Sequence, residues 1–109
     1  MPVDFDKLKE HYDGDIEIIA QLIEIFESSY PESFNALKTA LNASDYKSVH
    51  LHAHTIKGML SNFFAEDLRS VAFELEQFGS SESVPNNYEQ YLNKLEVGVP
   101  NMILEIKKM

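Results

Sequence analysis

The stretch from Ala53 to Phe64 reads A-H-T-I-K-G-M-L-S-N-F-F. Apolar residues in and just before it recur at steps of four, three, four and three, the spacing of one face of an amphipathic helix. These residues are Val49, Ala53, Ile56, Leu60 and Phe63. At about 100° per residue, His54 falls well off this face. We therefore predict a helix that buries the apolar face and presents His54 elsewhere.

Lys57 and Gly58 follow His54 by three and four residues, so in a helix they share its region of the surface. A glycine inside a helix costs about 1 kcal/mol relative to alanine. Gly58 therefore suggests close approach by another molecule or a packing requirement, and Lys57 would offset negative charge arriving at the ring. The alternative is that His54 and Lys57 are ordinary solvated side chains. Spacing alone leaves both interpretations open.

The chain resembles the histidine phosphotransfer (HPt) domain family in three places: H-T-I-K-G at residues 54–58, residues 65–68, and F-E-L-E at residues 73–76. The resemblance implies a four-helix bundle with His54 as the phospho-accepting residue. It also implies that the chain relays a phosphoryl group between receiver-domain aspartates in a multistep two-component phosphorelay. The implied partners are a response-regulator receiver domain, a hybrid sensor histidine kinase, or both.

Three further residues support His54 in this interpretation. Glu76 stands where the family often carries a glutamine or glutamate facing the histidine, and we predict that it accepts a hydrogen bond from Nδ1, leaving Nε2 free. Lys57 would steady the phosphoryl oxygens, and Gly58 would leave room for the group. The alternative for Glu76 is a solvated carboxylate.

Candidate partner-docking residues are His50, Ser61 and Phe73, although Phe73 also fits a rim residue packed under a neighbour. His50 and His54 have the i, i+4 spacing of a metal-chelating pair, but no third ligand is placed near them, so we predict no metal site. The family commonly has glycine at the position of Phe64, where it ends the helix in a left-handed turn. We expect this chain to end the helix another way, through Asn62.

Composition limits the classes of function. The chain has 109 residues, a net charge of −9 and no cysteine. These values predict one domain over residues 1–109 without disulfides, and they disfavour binding to nucleic acid or an anionic membrane, which requires a basic surface. Neither a signal peptide nor a membrane span is visible. We expect a cytoplasmic protein.

Apolar periodicity predicts an all-α fold: an antiparallel four-helix bundle with a short additional N-terminal helix. The short helix lies within residues 3–12, and the next covers residues 16–43 with Pro31 inside it. The apolar phase continues across Pro31, which favours one bent helix over two. The remaining helices cover residues 45–62, residues 65–79 with Gly79 as a candidate C-cap, and the segment after residues 85–87, with a kink expected near Pro100.

The sequence contains no glycine-rich phosphate loop and no nucleotide motif. The chain is therefore expected to be a phosphocarrier rather than an enzyme, with no cofactor of its own and with Mg²⁺ on the partner receiver domain. Two other functions stay open. One is a non-phosphorylated helical interaction module that binds a receiver or kinase domain, and the other is a metal-binding bundle that uses His50 and His54.

Overall fold

The computed structural model describes residues 3–109, which form α-helices and no β-strand. The helices are α1 (Phe5–His11), α2 (Ile16–Asn42), α3 (Tyr46–Ser61), α4 (Glu66–Ser80) and α5 (Tyr88–Lys107). Around the bundle α2 packs against α3, α3 against α4, α4 against α5 and α5 against α2. The predicted all-α, antiparallel four-helix bundle with a short N-terminal helix is confirmed.

Aspartate side chains begin three of the helices. Asp4 accepts a hydrogen bond from the Lys7 backbone N–H, Asp15 from that of Ile18, and Asp45 from that of Ser48, at 3.1, 3.1 and 3.3 Å. Each bond satisfies a backbone donor that has no partner within the helix, and the carboxylate charge also favours the positive end of the helix dipole. The sequence thus marks these helix starts locally.

The first four helices are followed by a residue in the left-handed region, and in each case it is not a glycine. Asp13, Ser44, Phe64 and Glu82 have φ between 52° and 55°. Our expectation that α3 would end without a left-handed residue is therefore wrong. Such a conformation costs a non-glycine residue about 1–2 kcal/mol. The Phe64 carbonyl accepts a hydrogen bond from the Asp4 N–H at 3.1 Å, and its partly buried ring packs on the core, which offset the strain.

Helix α1 covers the end of the bundle where α3 turns into α4. Leu8 is fully buried, and the Tyr12 hydroxyl donates to the Asn62 carbonyl at 3.0 Å. Together with the bond between Asp4 and Phe64, these contacts attach the short helix to the turn that follows α3. A seven-residue helix is unstable alone, so this docking is what keeps it folded.

Helix α2 is continuous through Pro31, as predicted, and α5 is likewise continuous through Gly98 and Pro100. A proline nitrogen carries no hydrogen, so each proline removes one bond from its helix. Pro31 and Pro100 both line a groove of about 590 Å³ between α2 and α5. This seam lies across the bundle from the seam between α3 and α4.

Gly79 is not the C-cap, which is Ser81, but the penultimate residue of α4, and it packs against the backbone of α3. A Cβ atom built on Gly79 would lie 2.5 Å from the His50 backbone nitrogen and 2.7 Å from the Tyr46 carbonyl oxygen. Both are backbone atoms and cannot rotate away. The space around Gly58 is different, because a Cβ atom built there would meet nothing within 4 Å. One glycine is required by the fold, and the other is not.

Matched alanine substitutions test this difference. We expect Gly79→Ala to lower the free energy of unfolding by about 1–3 kcal/mol, because the two helices must separate. Gly58→Ala should raise it by about 1 kcal/mol, because alanine is the better helix former and the site is open. Urea unfolding followed by circular dichroism measures both. Changes of the same sign in the two variants would contradict the packing described at Gly79.

Candidate functional site

Four side-chain pairs connect α3 and α4 along the solvent side of their seam, and all four share one antiparallel register. We call them the α3–α4 ladder. The pairs are His50 with Ser80, His54 with Glu76, Lys57 with Phe73, and Ser61 with Arg69. On α3 the members follow one another at steps of four, three and four residues, so they occupy one stripe of the helix. The stripe adjoins the core face that Val49, Ala53 and Ile56 form.

His54 is the most distinctive member of the ladder. Its side chain is 63% exposed, whereas that of Glu76 is only 6% exposed. The Nδ1 atom of His54 lies 2.5 Å from Oε2 of Glu76. This contact is the one predicted from the sequence, and it holds one edge of the imidazole against α4 while the other edge faces solvent.

Glu76 also binds Lys57, whose Nζ donates to Oε1 at 2.6 Å. Burial by itself raises the pKa of the Glu76 carboxyl, but hydrogen bonds from Lys57 and His54 and the attraction of their charges outweigh it. The net effect is a pKa below the ordinary value. Glu76 is therefore ionised at neutral pH, although it is the one charged residue that is buried in the described part of the chain.

This carboxylate determines where the His54 ring carries its proton. An ionised carboxylate only accepts hydrogen bonds, so we assign the proton of the neutral imidazole to Nδ1. Nε2 then has a free lone pair on the exposed edge of the ring. An exposed imidazole with that lone pair is a nucleophile near neutral pH.

Lys57 lies between the carboxylate and the aromatic ring of Phe73. Its Nζ is 5.4 Å from the ring centroid, within the range of a cation–π contact. Its side chain is only 19% exposed. The ammonium therefore neutralises Glu76 beside His54 instead of extending freely into solvent.

Gly58 leaves the surface open one turn after His54, as the sequence suggested. A Cβ at this position would fit without any contact, so the fold itself does not require glycine. A requirement for glycine here would have to come from a molecule that approaches this surface from outside. Its supporting role stays a prediction.

The candidate docking residues His50, Ser61 and Phe73 all belong to the ladder. His50 and Ser61 are exposed, and Phe73 is 42% exposed with the Lys57 ammonium over its ring, which fits both a docking residue and a rim residue packed under a neighbour. The structure brings them into line with His54, but their contact with a partner stays a prediction.

Sequence reasoning missed Ser80 and Arg69, which complete the ladder from α4. Ser80 binds Nδ1 of His50 at 2.8 Å, and Nε of Arg69 donates to the Ser61 hydroxyl at 3.1 Å. Their spacing from Glu76 and Phe73 repeats the spacing on α3. That repeat becomes a signal only once the register between the two helices is known.

Within residues 3–109 no group of three or more histidine, cysteine, aspartate or glutamate side chains is arranged to hold a metal ion. In the same part of the chain, no helix combines the length and apolar content that a membrane span requires.

Comparison with known proteins adds independent findings. A family model described as "Hpt domain" matches residues 21–107. The chain is 27% identical over 106 residues to the phosphorelay intermediate protein rdeA of Dictyostelium discoideum, a match that covers 97% of this chain and 39% of that protein. The chain therefore spans about two fifths of the length of this curated relative.

A solved structure also matches. It is the crystal structure of histidine-containing phosphotransfer protein B from Pseudomonas aeruginosa PAO1, with a TM-score of 0.85 and 21% identity. The match covers 98% of this chain and 92% of that chain. At this identity the likeness concerns the fold.

The lowered pKa of Glu76 makes stability depend on pH. Because the folded carboxyl releases its proton more readily than the unfolded one, the unfolded chain binds more protons in acid. The contribution is complete above the ordinary pKa of 4.5 and is lost as pH falls through the lower folded value. We expect the free energy of unfolding to fall more steeply between pH 5 and pH 3 in the native chain than in Glu76→Gln. Glu74→Gln, at an exposed position outside the ladder, is the control, and equal slopes in the native chain and Glu76→Gln would contradict the assignment.

Proposed function

The chain belongs to the Hpt domain family, and from that premise we propose that it carries a phosphoryl group on Nε2 of His54 between receiver-domain aspartates of a multistep phosphorelay. One observation supports this most directly. An exposed imidazole is held at Nδ1 by a buried, ionised carboxylate, so that Nε2 is both accessible and unprotonated. The other pairs of the ladder lie along the same seam on either side of His54.

The transfer step needs only the lone pair of Nε2. It attacks the phosphorus of the aspartyl phosphate, the N–P bond forms, and the P–O bond to the aspartate breaks, releasing the free carboxylate. No proton has to leave the imidazole during this step. Transfer to the next aspartate is the same exchange in reverse, with that carboxylate as the nucleophile and the imidazole as the leaving group.

Glu76 supports both directions. A ring that is phosphorylated at Nε2 and protonated at Nδ1 carries a positive charge. Glu76 stabilises that charge through the bond to Nδ1, and it keeps the proton in place. The cationic ring is the better leaving group, so retention of this proton keeps the phosphoryl group transferable.

Lys57 makes a negative carboxylate compatible with a negative substrate. Its ammonium binds Oε1 of Glu76 while His54 binds Oε2. Part of the carboxylate charge is thus neutralised before the phosphoryl group arrives, which reduces the repulsion between them. In the same proposal, Lys57 steadies the phosphoryl oxygens once the group is attached.

The proposal assigns the remaining chemistry to the partner, a response-regulator receiver domain or a hybrid sensor histidine kinase. Mg²⁺ and the phosphorylated aspartate belong to the receiver domain, and the chain acts as a carrier without catalytic machinery of its own. We place this exchange in the cytoplasm, because a relay of this kind draws its phosphoryl group from ATP.

The exposed apolar residues favour a second candidate function, a helical interaction module that binds a receiver or kinase domain without accepting phosphate. Ile25, Leu51 and Phe73 are 62%, 57% and 42% exposed. Binding through such residues would survive loss of the imidazole, whereas phosphotransfer would not.

Labelling by a phosphorylated receiver domain tests the proposal. We expect an acid-labile, base-stable phosphohistidine at residue 54, located by mass spectrometry. His54→Gln should abolish the label, because glutamine has no nucleophilic nitrogen, while His11→Gln should retain it. Receiver binding by His54→Gln without any label on the native chain would instead support the interaction module.

The open surface at Gly58 gives a separate test of access. We expect Gly58→Leu to slow transfer from a receiver domain about tenfold or more, which corresponds to a misfit of about 1.4 kcal/mol in the transition state. Phosphorylation of His54 by phosphoramidate, a small donor, should be unchanged. Asn101→Leu, at an exposed position on α5, is the matched control. Equal slowing with both donors would show that Gly58 acts on the imidazole and not on the partner.

A further inference from the structure

We propose that His50 is a second imidazole of the phosphoryl site, which donates from Nε2 toward the phosphoryl group on His54 and stabilises it most when His50 is protonated. This inference rests on the proposed function. It assigns to His50 a direct contact with the phosphoryl group, which is separate from its candidacy as a docking residue.

The two rings form a parallel pair one helical turn apart. Their centroids are 6.1 Å apart, and their planes differ by only 16°. Both residues are exposed, and both are held at Nδ1 by a side chain of α4, Ser80 for His50 and Glu76 for His54. With Nδ1 of each ring held against α4, the Nε2 edges both turn away from that helix.

The position of His50 is fixed by packing as well as by Ser80. At Gly79 the backbone of α4 packs closely against the His50 backbone nitrogen and Cα. Ser80 follows Gly79 directly, so its hydroxyl is held beside the ring it binds. The backbone of His50 is therefore held by close contact with α4.

Because Ser80 binds one ring and Glu76 the other, the two imidazoles carry their protons differently. Glu76 only accepts, which places the proton of His54 on Nδ1 and leaves Nε2 free. The Ser80 hydroxyl either donates or accepts. When it donates to Nδ1, the neutral His50 ring carries its proton on Nε2, and when His50 is protonated, both nitrogens carry one. In these two states Nε2 of His50 is a donor beside the nucleophile.

A phosphoryl group carries up to two negative charges near neutral pH, and an opposite charge within about 6 Å favours the protonated form of an imidazole. Phosphorylation of His54 should therefore favour the protonated form of His50. By linkage, protonation of His50 favours the phosphorylated state by the same factor.

The other charged groups near His50 are few. On α3 they are Lys47, three residues before His50, and His54, four residues after it. On α4, Glu76 is bound by His54 and Lys57, and Glu82 follows in the loop after Ser80. In the described part of the chain, α2 makes no hydrogen bond or ion pair with His50. An added phosphoryl group is thus a large change in the field at this ring.

Nuclear magnetic resonance of the imidazoles tests the coupling in the intact chain. The protein is phosphorylated by phosphoramidate, and the titration of His50 is followed before and after. We expect its midpoint to rise by at least about half a unit, and we expect His52, which is outside the ladder, to shift much less. An unchanged His50 midpoint in protein phosphorylated at His54 would overturn the inference alone. If His54 accepts no phosphoryl group from phosphoramidate or a receiver domain, both the proposed function and this inference fail.

The lifetime of the phosphorylated form gives a second readout. We expect the ratio of lifetimes, native chain over His50→Gln, to rise as pH falls from 8 to 6, because only the native chain gains a cation beside the phosphoryl group. His52→Gln should show no such trend. A ratio that stays constant with pH would mean that His50 acts only through the structure, and would overturn the proposal. Because the two proteins are compared at the same pH, the acid lability common to all phosphohistidines cancels in the ratio of their lifetimes.

Discussion

The close approach of α3 and α4 at Gly79 sets the register on which every pair of the α3–α4 ladder depends. Backbone atoms of α3 occupy the space in which a side chain of residue 79 would lie. Given that contact, residues of the two helices meet in one constant register, as the four pairs of the α3–α4 ladder. The imidazole of His54 is therefore positioned by helix packing and not by a flexible loop.

Glu76 is the electrostatic centre of this arrangement. A buried carboxylate is costly unless charged partners bind it, and here Lys57 and His54 bind its two oxygens separately. The same bonds keep the group ionised, and the ionised group in turn decides which nitrogen of His54 carries the proton. Stability and reactivity thus come from one set of contacts, so a change at Glu76 alters both.

The other features of the fold support this seam from a distance. The turn after α3 closes through Phe64 in a left-handed conformation, and α1 is attached to that turn through Asp4 and Tyr12. The opposite seam between α2 and α5 contains both intrahelical prolines and an open groove. The helices thus pack more closely at the α3–α4 seam, which carries the exposed imidazole of His54, than at the α2–α5 seam.

The sequence alone determined the helices, because apolar periodicity and capping aspartates act over a few residues and need no knowledge of the fold. It also predicted His54, Lys57, Gly58 and Glu76 as candidate site residues, since a glycine and a cation beside an off-core histidine are local signals and the family resemblance added the glutamate. Only the tertiary structure decided the register between α3 and α4, and with it the roles of Ser80, Arg69 and Gly79. The physical reason is that periodicity tells which face of a helix is buried, but only the packing of two backbones against each other tells which residues of those faces meet.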